Sequence, residues 1–213
     1  MRRASALWLF ALVVLPNTTG GAQYVSSDSY TRYELLAPES HQFKIYYEVT
    51  ETTPKAKFHF NPIREGSEAS DESVFDAATG KPLKFEVVTG AQAKTDGSSE
   101  TLNPAAKYIK VHLAHTVPER GEYRLIIIKT YKDEKSYYTD GDSIVFKRSL
   151  GIPRNSVVLP AGYEIVSCTA AAQVIPEKDG RLKLAFVNPG SGGQLEVMIR
   201  AKKIPAPRRE GAR

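Results

Sequence analysis

Short runs in which apolar and polar residues alternate, each cut off by Gly, Pro or Asp, limit most strongly what this chain can fold into. In QFKIYYEVT (42–50), Phe43, Ile45, Tyr47 and Val49 fall on one side and Lys44, Tyr46, Glu48 and Thr50 on the other. A period of two is that of a half-buried strand. KAKFHF (55–60) repeats it, with Ala56, Phe58 and Phe60 set against Lys55, Lys57 and His59. Further strand-like runs follow: YELLAP, KPLKFEVVT, AKYIKVHLA, GEYRLIIIKTYK, DSIVFKRS, SVVLP, YEIVSCT, RLKLAFVN and QLEVMIRAKK. Turn chemistry separates them at Ala78-Thr79-Gly80, Asp96-Gly97, Asp140-Gly141-Asp142, Pro160-Ala161-Gly162 and Asp179-Gly180. The acidic, small segment 67–77 reads as a loop leading into a strand. No stretch carries a sustained helical period with caps.

This spacing predicts an all-β protein, an antiparallel β-sandwich (immunoglobulin-like or saddle-like) with a smaller C-terminal β unit packed on it. The sandwich is expected over 23–150 and the smaller unit over 151–203, with a seam at SLGIPR (149–154). From 204 to 213 the chain is Pro-rich, basic and free of large apolar residues after Ile204, so a disordered tail is expected.

The segment before these runs has a different grammar. Arg2 and Arg3 precede the apolar run ASALWLFALVVLP (4–16), and the small, polar NTTGGA (17–22) follows. That order is a signal peptide, with Gly20 and Ala22 placed for cleavage between Ala22 and Gln23. The alternative, an uncleaved anchor helix, needs roughly 20 apolar residues, more than this run supplies. The expectation is an exported protein, secreted or periplasmic, with no membrane span once residues 1–22 are removed.

Cys168 is the only cysteine, so no internal disulfide forms, and its apolar strand context predicts a buried, reduced thiol. The formal charge of +5 lies mostly at the ends. Setting aside Arg2, Arg3, Lys202, Lys203, Arg208, Arg209, Arg213 and Glu210 from 29 basic and 24 acidic residues leaves 22 against 23. A neutral body argues against electrostatic capture of nucleic acid. Asn17 is the only Asn-x-Thr acceptor and falls within the signal peptide, which leans towards a bacterial export product.

No catalytic motif emerges. His112 and His115 stand three apart and point to opposite faces of a strand. His59 falls on a polar face and His41 in a turn, so a metal site is not expected. PGSGG (189–193) lacks the spacing of a nucleophile elbow and reads as a hairpin loop. The acidic groups Glu65, Glu68, Asp71, Glu72 and Asp76, and Asp140 with Asp142, lack the ligand spacing of a calcium loop. No cofactor is implied. The aromatic cluster in KTYKDEKSYYTDGD is the candidate binding site: Tyr131, Tyr137 and Tyr138 with Lys132, Lys135 and Asp140. Tyrosine in a loop builds contacts to sugar or protein, although the same tyrosines could pair across a hairpin.

Four stretches carry a resemblance: YELLAPESHQFKIYYEVT, DAATGKPLKFEVV, YIKVHLAHTVPERGEYRLIIIKTYK and LPAGYEIVSCTAAAQVIPEKDGRLKLAFVNP. In this order they resemble the N-terminal β domain of the M1 family of zinc aminopeptidases, a β-sheet saddle that packs on a catalytic domain. That family's His-Glu-x-x-His helix and Gly-x-Met-x-Asn loop are absent from this sequence. The resemblance therefore implies a fold and an accessory role, not peptidase activity. The functional expectation is an exported, non-catalytic module that binds or assembles with a protein or an envelope component. The alternative is an extracellular glycan hydrolase using carboxylates from separate strands.

Overall fold

The structure, a computed structural model, describes residues 29–98, 102–188 and 193–205. The expected signal peptide and cleavage point, and the tail beyond residue 205, lie outside the described residues.

Fourteen strands account for most of the described chain. They are β1 (Ser29–Leu35), β2 (Gln42–Glu51), β3 (Phe58–Pro62), β4 (Glu68–Asp76), β5 (Phe85–Thr89), β6 (Lys107–His112) and β7 (Tyr123–Lys132). Then come β8 (Tyr137–Asp140), β9 (Ser143–Leu150), β10 (Arg154–Val158), β11 (Tyr163–Cys168), β12 (Gln173–Pro176), β13 (Leu182–Val187) and β14 (Leu195–Lys203). Seven form a central sheet in the order β12-β13-β10-β1-β2-β7-β4. Two smaller sheets, β11-β14-β9-β8 and β3-β6-β5, cover different parts of it.

The alternation read from the sequence explains how one sheet carries two lids. On β2, Phe43 and Ile45 belong to one core cluster and Val49 to another, all in the same register and hence on one face. On β7, Tyr131 joins the first cluster while Leu125 and Ile127 join the second. The four-stranded sheet closes the first core with Ile144, Phe146, Leu150, Val197 and Ile199. The three-stranded sheet closes the second with Ile109 and Val111. Strands β2 and β7, ten residues each, are long enough to serve both.

Strands on either side of the 149–154 seam share sheets. Residue 154 opens β10, which pairs in parallel with β1 and antiparallel with β13, while β14 pairs with β9. The β1–β10 pair is the parallel exception in an otherwise antiparallel arrangement.

Four local expectations need correction. The segment read as a loop at 67–77 is strand β4, paired with β7 and interrupted by a register shift between Ser70 and Ser73, where Asp71 has φ 54°. Such a bulge breaks the alternation that marks a strand. A short helix α1 (Gly90–Thr95) follows β5, opened by a capping box in which Thr89 and Gln92 exchange hydrogen bonds. On β3 it is His59 and Asn61 that turn inward, while Phe58 and Phe60 stack edge to face at 6.3 Å on the other side. His59 tolerates burial because its Nδ1 lies 2.9 Å from Glu51 Oε2. Cys168 is half-buried rather than buried, its Sγ donating to the Ala170 carbonyl at 3.2 Å.

Candidate functional site

Where the two lids meet above the central sheet, apolar packing gives way to charge. Lys129 lies between Ile127 of the second core and Tyr131 of the first, in the inward register of β7, and is 4% exposed. Its ammonium donates to Asn61 Oδ1 on β3 at 2.6 Å and stands 5.0 Å from the Tyr131 ring centre. Burial, with Arg148 adding like charge against the pull of Glu72, lowers its pKa to about 8.

Arg148 enters from β9, in register with Ile144, Phe146 and Leu150, and is 7% exposed. Its guanidinium carbon sits 5.2 Å from the Phe43 ring centre and 5.6 Å from those of Tyr33 and Tyr131. Three rings hold the group in place, an arrangement that suits the flat, weakly hydrated guanidinium. Desolvation lowers its pKa, and the Arg64 charge acts in the same direction.

Asp133 supplies the opposite charge and also builds the β7–β8 turn. Its Oδ1 accepts from the backbone of Lys135 at 3.1 Å and of Ser136 at 3.0 Å. Its Oδ2 accepts from Ser136 Oγ at 2.7 Å, Ser67 Oγ at 3.3 Å and Arg148 Nη1 at 3.4 Å. An aspartate that gathers the backbone two and three residues on is the local reason Asp-Glu-Lys-Ser makes a tight turn. Burial works to raise the Asp133 pKa, but the Ser136 hydroxyl and amide and the Arg148 charge outweigh it and hold it below the ordinary value. The turn is pinned to the rest of the fold as well. Tyr137 Oη donates to the Leu36 carbonyl at 2.9 Å, and the amide of Asp133 donates to the His41 carbonyl at 3.1 Å.

Above this floor opens a cavity of about 270 Å³, lined by Arg64, Lys135, Ser136, Lys147 and Arg148 with the acidic Glu65, Asp133 and Glu196. Its walls come from the β3–β4 connection, the β7–β8 turn and the β9–β14 pair. Glu196 on this rim accepts a hydrogen bond from Ser149 Oγ.

Of the six residues expected to form a binding surface, the structure brings only Lys135 into this cavity. Tyr131 and Tyr137 are 2% and 0% exposed and belong to the first core, so they do not present a contact surface. Cross-strand and inter-sheet packing claims their rings, and their hydroxyls meet backbone groups at Arg64 and Leu36. Tyr138 is half-buried on β8, Lys132 is exposed at the end of β7, and Asp140 pairs with Arg200 of β14 at 2.7 Å. The sequence reading missed Arg64, Asp133, Ser136, Lys147 and Arg148. A signal existed for Arg148: in SIVFKRSL it occupies the position that alternation assigns to the core, as Lys129 does in RLIIIKTYK. A basic residue in an apolar register marks a buried charge that needs partners.

No cluster of three or more His, Cys, Asp or Glu side chains that could hold a metal occurs among the described residues. No protein-family model and no curated protein matches the chain. Solved structures do. The M1 zinc metallopeptidase of Deinococcus radiodurans bound to a Tyr-Ser-Ala substrate superposes with a TM-score of 0.50 at 10% identity over 82% of this chain. A two-domain M1 zinc metallopeptidase bound to L-tryptophan gives 0.50 at 11% identity over the same share. The chain spans 41% of the length of each of these proteins. The protein has the fold of the N-terminal β domain of M1 zinc aminopeptidases.

Proposed function

We propose that this protein is an exported, non-catalytic binding module that engages a protein or an envelope component through the cavity between the β3–β4 connection, the β7–β8 turn and the β9–β14 pair. The observation that carries the reading is the way the cavity's buried carboxylate is held. Asp133 is tied down by two backbone amides, two hydroxyls and Arg148, and is kept ionised. A general acid needs a raised pKa and a free oxygen, which is the opposite arrangement. Rigid, satisfied polar groups with a cationic rim are instead what recognition requires. Export rests on the charged, apolar and small segments of residues 1–22.

The test compares wild-type protein with a Lys135→Glu/Lys147→Glu double variant for retention of components from fractionated envelope and secreted material. Both side chains are exposed, so the melting temperature should stay within a degree or two by the usual surface effect, while specific retention is lost. Equal retention by both proteins contradicts this placement of the binding surface, and release of reducing ends from a glycan by the wild type contradicts the non-catalytic reading.

A further inference from the structure

Resting on that binding role, we propose that Arg148 is the receptor for an oxyanion, a carboxylate or phosphate group that enters the cavity between the β3–β4 connection and the β7–β8 turn. The guanidinium carries more donors than the protein uses. Nη1 donates to Asp133 Oδ2 and Ser136 Oγ, each at 3.4 Å, and the guanidinium also donates to the Tyr33 hydroxyl, which leaves part of its five-donor fork without a partner. Charge-assisted bonds between nitrogen and carboxylate normally run about 2.7–2.9 Å. Asp133 spends its shorter bonds on the turn it builds, so it neutralises Arg148 at a distance.

The guanidinium is not left sealed without partners. Among the described residues, the sealed side-chain polar atoms lacking a partner are His59 Nε2 and Asn155 Oδ1, and no nitrogen of Arg148 is among them. Arg148 itself lines the cavity, so its guanidinium is placed to meet a group that enters it. Its direction is fixed in advance by the Tyr33, Phe43 and Tyr131 rings around the guanidinium carbon. A ligand binding there does not have to order a long, mobile side chain, which is a large part of what weakens most surface arginine contacts.

Charge and size narrow the class. Arg64, Lys135, Lys147 and Arg148 face Glu65, Asp133 and Glu196, which leaves a surplus of one positive charge. A planar fork of N–H donors matches the two oxygens of a carboxylate or phosphate. A volume of about 270 Å³ admits such a terminal group but lies below the usual range for a complete small-molecule ligand. The same chemistry can come from a free small anion or from an acidic side chain presented by a partner protein.

The experiment uses full-length protein with 15N-labelled arginine and follows the Nε–H resonances while acetate, inorganic phosphate or a short glutamate-rich peptide is added at constant ionic strength. One resonance, assigned by its loss in Arg148→Lys, should shift and saturate below about 10 mM of at least one probe. The rim variant Lys135→Ala/Lys147→Ala, which leaves the core intact, should weaken that binding about threefold or more. Saturation by acetate and phosphate alone points to a free anion, and much tighter peptide binding points to a partner's side chain. A resonance that stays still, or drifts linearly as it does with chloride, overturns the proposal. Should Arg148→Lys retain the partner captured by wild type while no probe moves the Arg148 signal, the oxyanion assignment falls and the binding module stands.

Discussion

The two cores that share the central sheet are built differently. Under the four-stranded lid, Tyr33, Phe43, Tyr131 and Phe146 pack edge to face or tilted, with ring centres 5.6–6.2 Å apart. Under the three-stranded lid the core is mainly aliphatic, with Val49, Val74, Ile109, Val111, Val117, Leu125 and Ile127, and Tyr123 at its edge donating to Asp76. Aromatic rings offer faces to a cation, and aliphatic side chains do not. Arg148 can therefore lie against the first core, whereas the second core accepts polar side chains only in pairs, as Lys129 with Asn61 and His59 with Glu51. One sheet roofed by two lids leaves a line of contact that apolar packing does not fill, and charge collects there.

The largest effects test whether both cores depend on one sheet. Phe146→Ala should cost about 3–5 kcal/mol and Ile127→Ala about 2–5 kcal/mol. Because β2 and β7 run under both lids, each variant should shift one common unfolding transition. Denaturant titration followed by far-ultraviolet circular dichroism and by tyrosine absorbance reads this directly. Two separate transitions, with Phe146→Ala moving only one, would break the comparison.

At the junction, Asp133→Ala should cost about 3–5 kcal/mol, because it leaves the buried Arg148 without its counter-charge and removes the acceptor that shapes the β7–β8 turn. The same titration measures it, and a loss below about 1 kcal/mol would show that the turn and the cation do not need the carboxylate.

Next in size is Gly90→Ala on the three-stranded side. A Cβ there would lie 2.0 Å from the Asn103 carbonyl oxygen and 2.8 Å from its carbon. Backbone must move to admit it, at about 1–3 kcal/mol. A melting temperature equal to wild type would show that α1 and the 102–106 segment yield freely.

The smallest effect depends on pH. Glu51 would be raised by burial, but hydrogen bonds from His59 and Thr53 hold it at about 2 against an ordinary 4.5. Its carboxylate thus adds stability above about pH 4.5, and this contribution is lost as the pH falls towards 2. Between those limits wild-type protein should lose melting temperature more steeply than Glu51→Gln. Parallel slopes for the two proteins would remove the His59–Glu51 pair from the account of the second core.

Strand content and the inward faces of β2, β7 and β9 were legible because their period-two pattern is intact. β4 was not, because the bulge at Ser70–Ser73 shifts its register midway, and α1 was not, because six residues are too short to show a helical period. The insertion of β10 beside β1 depends on a long-range parallel pairing that local pattern does not encode. Tyrosines 131 and 137 drew attention as a cluster, yet alternation places Tyr131 with Leu125 and Ile127, facing the core. The same rule marks Lys129 and Arg148 as charges in core positions. Which carboxylate answers them depends on how the β7–β8 turn folds back on β9, and that lies outside any single strand's pattern.

The most direct test of the central claim, that Arg148 is kept at the junction for recognition rather than for stability, is the unfolding free energy of Arg148→Met measured alongside binding. Methionine fills the aromatic cage without a charge, and Asp133 keeps its bonds to Ser67, Lys135 and Ser136. The account predicts a smaller loss of stability than Asp133→Ala causes, because the carboxylate keeps four of its five hydrogen bonds, together with loss of retained partner and of any oxyanion response. A loss of several kcal/mol with binding preserved would contradict it.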